Sequence, residues 1–267
     1  MAVRSARPVV VAGLAAIVLA ACATPRPHVA LRRPAPSSSA PTRTDPPIVT
    51  VAPTSAPPGD PTTSVPATPL PELPRGGRQI LPTYRVVAYY GAAGTSALGV
   101  LGQGTPDQAA AAIEDQAAGY ARFGRPVQPA MELLATVAQR APGADGNYSA
   151  PVPDSEIERY LAAAHRHRML LILDIQPGRG EFLPEVQHLA PFLADPSVSI
   201  ALDPEWKVGP QQLPGHVIGA ASAASINAVA EYLHGIVTAA GLPDKLLVVE
   251  LCTFNPSGNQ INVQAAE

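Results

Sequence analysis

Five short apolar runs punctuate the C-terminal two-thirds of the chain. They are YRVVAYYG at 84–91, VQPAMELLATVA at 127–138, MLLILDI at 169–175, VSIAL at 198–202 and KLLVVEL at 245–251. MLLILDI is nearly continuous in apolar side chains, the pattern of a strand buried on both faces. VQPAMELLATVA predicts a strand that runs into a loop or short helix. Helical signals lie between these runs. Thr105-Pro106-Asp107-Gln108 places a capping threonine, a proline at the first helical position and a glutamine at the third, and the alanine-rich segment to Phe123 continues the helix until Gly124. Ser155 to Glu158 reads as a second capping box, opening a helix through His167 with Ile157, Tyr160, Leu161 and Ala164 on one face. Phe182–Leu193 reads as helix interrupted near Pro191. Ser222–Ala240 reads as a long helix closed by Gly241 and Pro243.

The order is therefore β-α-β-α-β-α-β-α-β. Alternation of this kind predicts the α/β class, with a parallel sheet and helices outside it. A TIM-barrel-like domain and an open doubly wound sheet both fit. A complete eight-stranded barrel takes about 250 residues, and only five strands can be counted here. The 16 residues after Leu251 are polar and turn-rich. The expectation is an incomplete barrel of about five strands, with an open doubly wound sheet as the alternative.

The first 82 residues follow other rules. Arg4 and Arg7 precede an apolar run, Val9–Ala21, of 13 residues. That is short for a membrane span, which needs about 17–25 residues, and it suits a secretory leader. The run ends in Leu19-Ala20-Ala21-Cys22, which resembles a bacterial lipobox. The resemblance implies cleavage before Cys22, acylation of that cysteine, and residence at the cell membrane on its extracytoplasmic face, with membrane lipid as a partner. Residues 1–21 are then the lipoprotein signal peptide. Residues 22–82 hold 16 of the 32 prolines, with much Ser, Thr and Ala. They read as a disordered tether, and 83–267 as the barrel-like domain.

Charge and cysteine content exclude several classes. From Thr83 onward 10 Lys/Arg face 18 Asp/Glu, a net of −8, which is wrong for a nucleic-acid binder. The chain has two cysteines. With Cys22 acylated, no disulfide framework and no cysteine zinc site can form, and Cys252 reads as a small buried hydrophobe. His165 and His167 diverge on a helix, so they are not a metal pair. The glycine-rich stretches at 91–104 and 176–182 lack phosphate-loop and dinucleotide spacing, and no G-x-S-x-G elbow occurs. No cofactor and no metal is expected.

The chemistry that remains lies at the ends of the apolar runs. Glu132 lies in the second, Asp174 ends the third, Asp203 and Glu205 follow the fourth, and Glu250 lies in the fifth. In parallel α/β folds the carboxyl ends of the strands open on one side, where ligand sites form. Five acids from four strands should therefore converge on one mouth. Mutual repulsion and burial raise some carboxyl pKa values there, so that one acid stays protonated while another stays ionised. Glycoside hydrolysis needs that division of labour. Asp203 and Glu205 are two apart, which puts both on one face of an extended strand. Tyr89, Tyr90 and Trp206 fall at the same mouth and offer faces for stacking on a sugar ring.

The segments VVAYYG, AMELLATVA, LLILDIQPGR and ALDPEW, together with the lipobox and proline tether, resemble actinobacterial secreted lipoproteins carrying a glycoside-hydrolase-like TIM-barrel domain. The D-x-E ending of ALDPEW is similar to that of chitinase-like and muramidase-like barrel hydrolases. This resemblance implies Glu205 as general acid and Asp203 as its partner; Asp174, on the preceding strand, is read from strand order as their neighbour and as an alternative base or nucleophile. The fuller D-x-x-D-x-D-x-E run is absent, since Ser197, Ser199 and Ala201 stand before Asp203. The expected function is a cell-envelope glycoside hydrolase acting on carbohydrate or cell-wall glycan, with catalytic Glu205, Asp203 and Asp174. Trp206, Tyr90, Tyr89, Glu132 and Glu250 are expected to contact substrate. A non-catalytic glycan-binding lipoprotein and an inactive truncated copy are the alternatives.

Overall fold

A computed structural model describes residues 69–250. The leader, Cys22, the greater part of the proline-rich tether, the end of the fifth apolar run and Cys252 lie outside the described residues. Five parallel strands form a curled sheet, a half-barrel, in the order β1 (Arg85–Gly91), β2 (Val127–Ala138), β4 (Leu170–Ile175), β5 (Val198–Leu202) and β6 (Leu247–Val249). A short strand, β3 (Ser149–Pro151), adds antiparallel to the end of β2. The helices are α1 (Pro106–Ala118), α2 (Asp154–Arg166), α3 (Phe182–His188), α4 (Ala190–Leu193) and α5 (Ala223–Ala240).

Local chemistry explains most boundaries. Thr105 and Gln108 cap α1 reciprocally, at 3.2 and 2.9 Å. Ser222 caps α5, and Gly241 ends it in the left-handed conformation at φ 57°. At α2 the predicted capping box does not form. The helix begins two residues earlier, after Pro153, and no side chain caps it. Asp154 and Glu156 in its first turn compensate through the helix dipole. The run 127–138 is strand throughout, because its end gains β3 as a second partner. The first helix stops at Ala118, and Ala121–Phe123 forms a separate 3₁₀ turn closed by Gly124 at φ 80°.

Strand alternation divides the core in two. One face packs Met131, Leu133, Leu171, Leu173, Ile200 and Leu202 against Ile113, Ile157, Tyr160, Phe182 and Val229 of the helices. The concave face carries a smaller cluster: Ala130, Leu170, Ile172 and Ala201, covered by Leu73, Ile80 and Tyr84. Residues 69–82, assigned to the tether by composition, are thus folded onto the sheet. Leu73 and Ile80 are 3% and 1% exposed. Arg78 fixes the segment by donating to the carbonyls of Pro71, Gly241 and Leu242 at 2.6, 3.1 and 2.9 Å. The Asp244 carboxylate accepts from the Ile80 N–H at 3.1 Å. The segment forms a floor at the amino ends of the strands and leaves their carboxyl ends open to other use.

Candidate active site

Above that floor, on the same concave face, the next layer is polar. The parity of each strand decides which side chain enters it. In β1, Val86 and Ala88 pack with the floor, so Tyr90 faces inward two residues on, while Tyr89 packs with the helix-side core. The structure thus removes Tyr89 from the mouth. Tyr90 pairs in register with Glu132, and Leu134 with Asp174. The Asp203 N–H donates to the Ile175 carbonyl at 3.1 Å, and the Glu250 N–H to that of Leu202 at 2.9 Å. Glu132, Asp174, Asp203 and Glu250 form one cluster: the Glu250 charge raises the other three, and the Asp203 charge raises Glu132 and Asp174.

Asp174 is the deepest member. It is 0% exposed, and neither of its oxygens has a hydrogen-bond partner. Burial first, then the charges of Glu250, Asp203 and Glu132, hold its carboxyl well above the usual range. Burial also pushes Glu132 up to about 7, helped by the charge of Glu250 and a hydrogen bond with it. Glu250 is raised by burial, although that same hydrogen bond to Glu132 pulls its value down. The two carboxyls therefore titrate as a pair rather than independently. Asp203 is pushed up to about 7 by burial and by the charges of Glu205 and Glu250. The six ion pairs among the described residues include none of these four acids. No basic side chain in ion-pair contact therefore offsets their mutual repulsion.

Sequence reasoning missed Gln176. It lies on the inward face two residues beyond Asp174, and it is 5% exposed. Its Nε2 donates to the Tyr90 hydroxyl and to Asp203 Oδ2, both at 3.3 Å. Its Oε1 accepts from the Ala138 N–H at 3.1 Å, and its main chain is fixed by Thr136 Oγ1 at 2.9 Å and Ser149 Oγ at 2.7 Å. The signal was the D-x-Q spacing in ILDIQ, which continues strand parity past the acid. Tyr90 itself is raised by burial and by all four acids, so its phenol stays a proton donor.

Glu205 and Trp206 are placed differently from expectation. The strand ends at Leu202, and Pro204–Trp206 forms a 3₁₀ turn. Proline cannot extend the ladder, so Asp203 and Glu205 are not an i, i+2 strand pair. Asp203 points into the buried cluster. Glu205 and Trp206, both half-buried, line a neighbouring cavity of about 230 Å³ with Gly215, His216, Val217 and Ile218. Glu205 still lies near enough to raise Asp203 and Glu250 electrostatically. No group of three His, Cys, Asp or Glu side chains among the described residues is arranged to hold a metal ion.

The class defined by fold and site is a parallel β/α half-barrel with a cluster of buried carboxyls at the carboxyl ends of its strands. Comparison adds no closer placement: no family model matches the chain, and no match to a curated protein was found.

Proposed function

We propose that the protein is a cell-envelope lipoprotein, acylated at Cys22, whose half-barrel cleaves glycosidic bonds in envelope polysaccharide. The observation that carries this reading is the cluster of Glu132, Asp174, Asp203 and Glu250, raised in pKa with no cation beside it. Asp203, held near 7, keeps its proton at mildly acidic to neutral pH and serves as general acid toward the leaving oxygen. Glu205, at the wall of the adjoining cavity, serves as the partner carboxylate. These roles reverse those implied by the D-x-E resemblance, because burial acts on Asp203. Asp174, whose two oxygens have no hydrogen-bond partner, acts through its neighbours' protonation. Trp206 supplies the apolar face against which a sugar ring stacks.

The test is turnover of envelope polysaccharides by the chain and its Asp203→Asn and Glu205→Gln forms. Each substitution should lower kcat by at least about 100-fold. Activity equal to the parent in both would overturn the assignment. A second reading, a glycan-binding protein without catalysis, is favoured by the separation of the Trp206 cavity from the buried acids. Under that reading Trp206→Ala abolishes glycan binding, and no polysaccharide is turned over at any pH. Mass analysis of the mature N-terminus tests the anchor, which predicts an acylated Cys22 as first residue.

A further inference from the structure

The end of the sheet opposite the carboxyls has its own character. The linker from α1 to β2, residues 120–126, is exposed along its length. It presents Phe123 at 52% and Tyr120 at 36% exposure, with ring centroids 6.2 Å apart. Leu81, in the turn that leads into β1, is 57% exposed. Two guanidinium groups lie over the same Phe123 ring, Arg85 at 5.0 Å and Arg122 at 4.9 Å. Arg125 follows two residues later and is exposed. None of the ion pairs among the described residues uses Arg85, Arg122 or Arg125.

This combination has a physical signature. Burying an aromatic ring this exposed would be favourable, and monomeric surfaces usually avoid grouping such side chains. Guanidinium groups stacked on the ring neutralise nothing within the protein, so their charge is free for a partner. The domain from Thr83 carries a net charge of −8, so a cationic end is a local reversal that orients the molecule in a field. The partner must supply anionic groups beside an apolar layer. A bilayer interface with anionic headgroups does this: arginines meet phosphates while aromatic rings enter the boundary below. A soluble polyanion would leave Phe123, Tyr120 and Leu81 in water.

The first described residues lie at the same end. Leu70 lies against Gly241, which ends α5 just before β6 begins. Only 46 residues separate Cys22 from Pro69. We infer that the Leu81, Arg85, Tyr120, Arg122, Phe123 and Arg125 face docks on an anionic phospholipid surface, turning the carboxyl mouth away from the membrane. An acyl anchor would raise the local concentration of this face at the bilayer. The inference does not need the anchor, and its test removes it.

The test uses the chain from residue 22 to 267 with Cys22→Ser, so that no acyl chain is attached and the apolar 9–21 run is absent. Co-sedimentation is measured with vesicles of phosphatidylcholine and with an equal mixture of phosphatidylcholine and phosphatidylglycerol. Binding should occur on the mixture, not on phosphatidylcholine alone, and should weaken as salt rises. Each arginine near a charged surface is worth about a five-fold change in partitioning, so Arg122→Ala with Arg125→Ala should weaken binding about 25-fold. Phe123→Ser should weaken vesicle binding and leave any binding to soluble polyphosphate unchanged. Unchanged circular dichroism and Tm in these surface variants keep the comparison valid. Equal binding to both vesicle types, or indifference to the arginine substitutions, overturns the inference. Tighter binding to polyphosphate than to vesicles, insensitive to Phe123→Ser, overturns it in favour of a soluble polyanion.

Discussion

Replacing Asp203 by asparagine should make the domain more stable at pH 8 while leaving it almost unchanged near pH 4. The Asp203 carboxyl sits at about 7 in the folded protein against an ordinary 3.8. Its stabilising share is fully present below 3.8. Between about pH 4 and 7 the folded state keeps a proton that the unfolded chain has released, so stability falls as pH rises, then levels off above 7. At about 1.4 kcal/mol for each tenfold change in proton affinity, the shift corresponds to roughly 4 kcal/mol. Relaxation and water entry around this buried group on ionisation reduce it to about 2–4 kcal/mol. Asparagine keeps the shape, still accepts from Gln176 Nε2, and carries no charge to bury. The assay is urea and thermal unfolding of both proteins across this pH range. For a domain of this size the gain at pH 8 should appear as about 5–15 °C in Tm. The reasoning is refuted if the parent's stability is flat between pH 4.5 and 8, or if the variant shows no advantage at the upper end.

Three further outcomes follow from the same geometry. Gln176→Ala should unfasten Asp203 and Tyr90 together and lower stability by about 1–3 kcal/mol; chemical denaturation measures the loss, and in the hydrolase reading the pH optimum should also move upward. Gly178 sits at φ 61° with the Asn147 and Tyr148 carbonyls directly where a Cβ would stand, so Gly178→Ala should cost more than about 1 kcal/mol and loosen the 176–181 loop, seen as faster amide exchange there. Arg78→Ala removes three hydrogen bonds to main-chain carbonyls; it should lower stability by about 2–4 kcal/mol and expose the 69–82 segment to limited proteolysis.

The parts of this architecture that were legible in the sequence are those where one local force dominates. VSIAL matches β5 to the residue because every position of that strand is buried and four of its five side chains are apolar. Thr105 with Gln108, and Gly241, mark their helix ends because capping is decided within four residues. The acids Glu132, Asp174, Asp203 and Glu250 could be placed at one end because parallel topology brings strand ends together. Parity, by contrast, could not separate Tyr89 from Tyr90, as both are aromatic and the core accepts either. The pairing of Asp203 with Glu205 failed because Pro204 ends the strand between them. Strand β3 is too short to show alternation, and it exists only through its partner. The floor segment was hidden for a compositional reason: Leu73 and Ile80 are isolated among Pro, Gly, Arg and Gln, and two buried side chains do not alter an average.

That floor also governs the order in which the chain can be completed. Arg78 and Ile80 find their partners at Gly241, Leu242 and Asp244, 163 to 164 positions away. Contacts of such long sequence separation form late and slowly. A growing chain emerging from the ribosome therefore cannot lock its first folded segment until nearly the whole domain has been made. Until then Leu73 and Ile80 lack the clamp that holds them on the sheet, and the strands above lack their cover. The 69–82 segment is thus made before the strands it covers and fixed only after residues 241–244 have followed them.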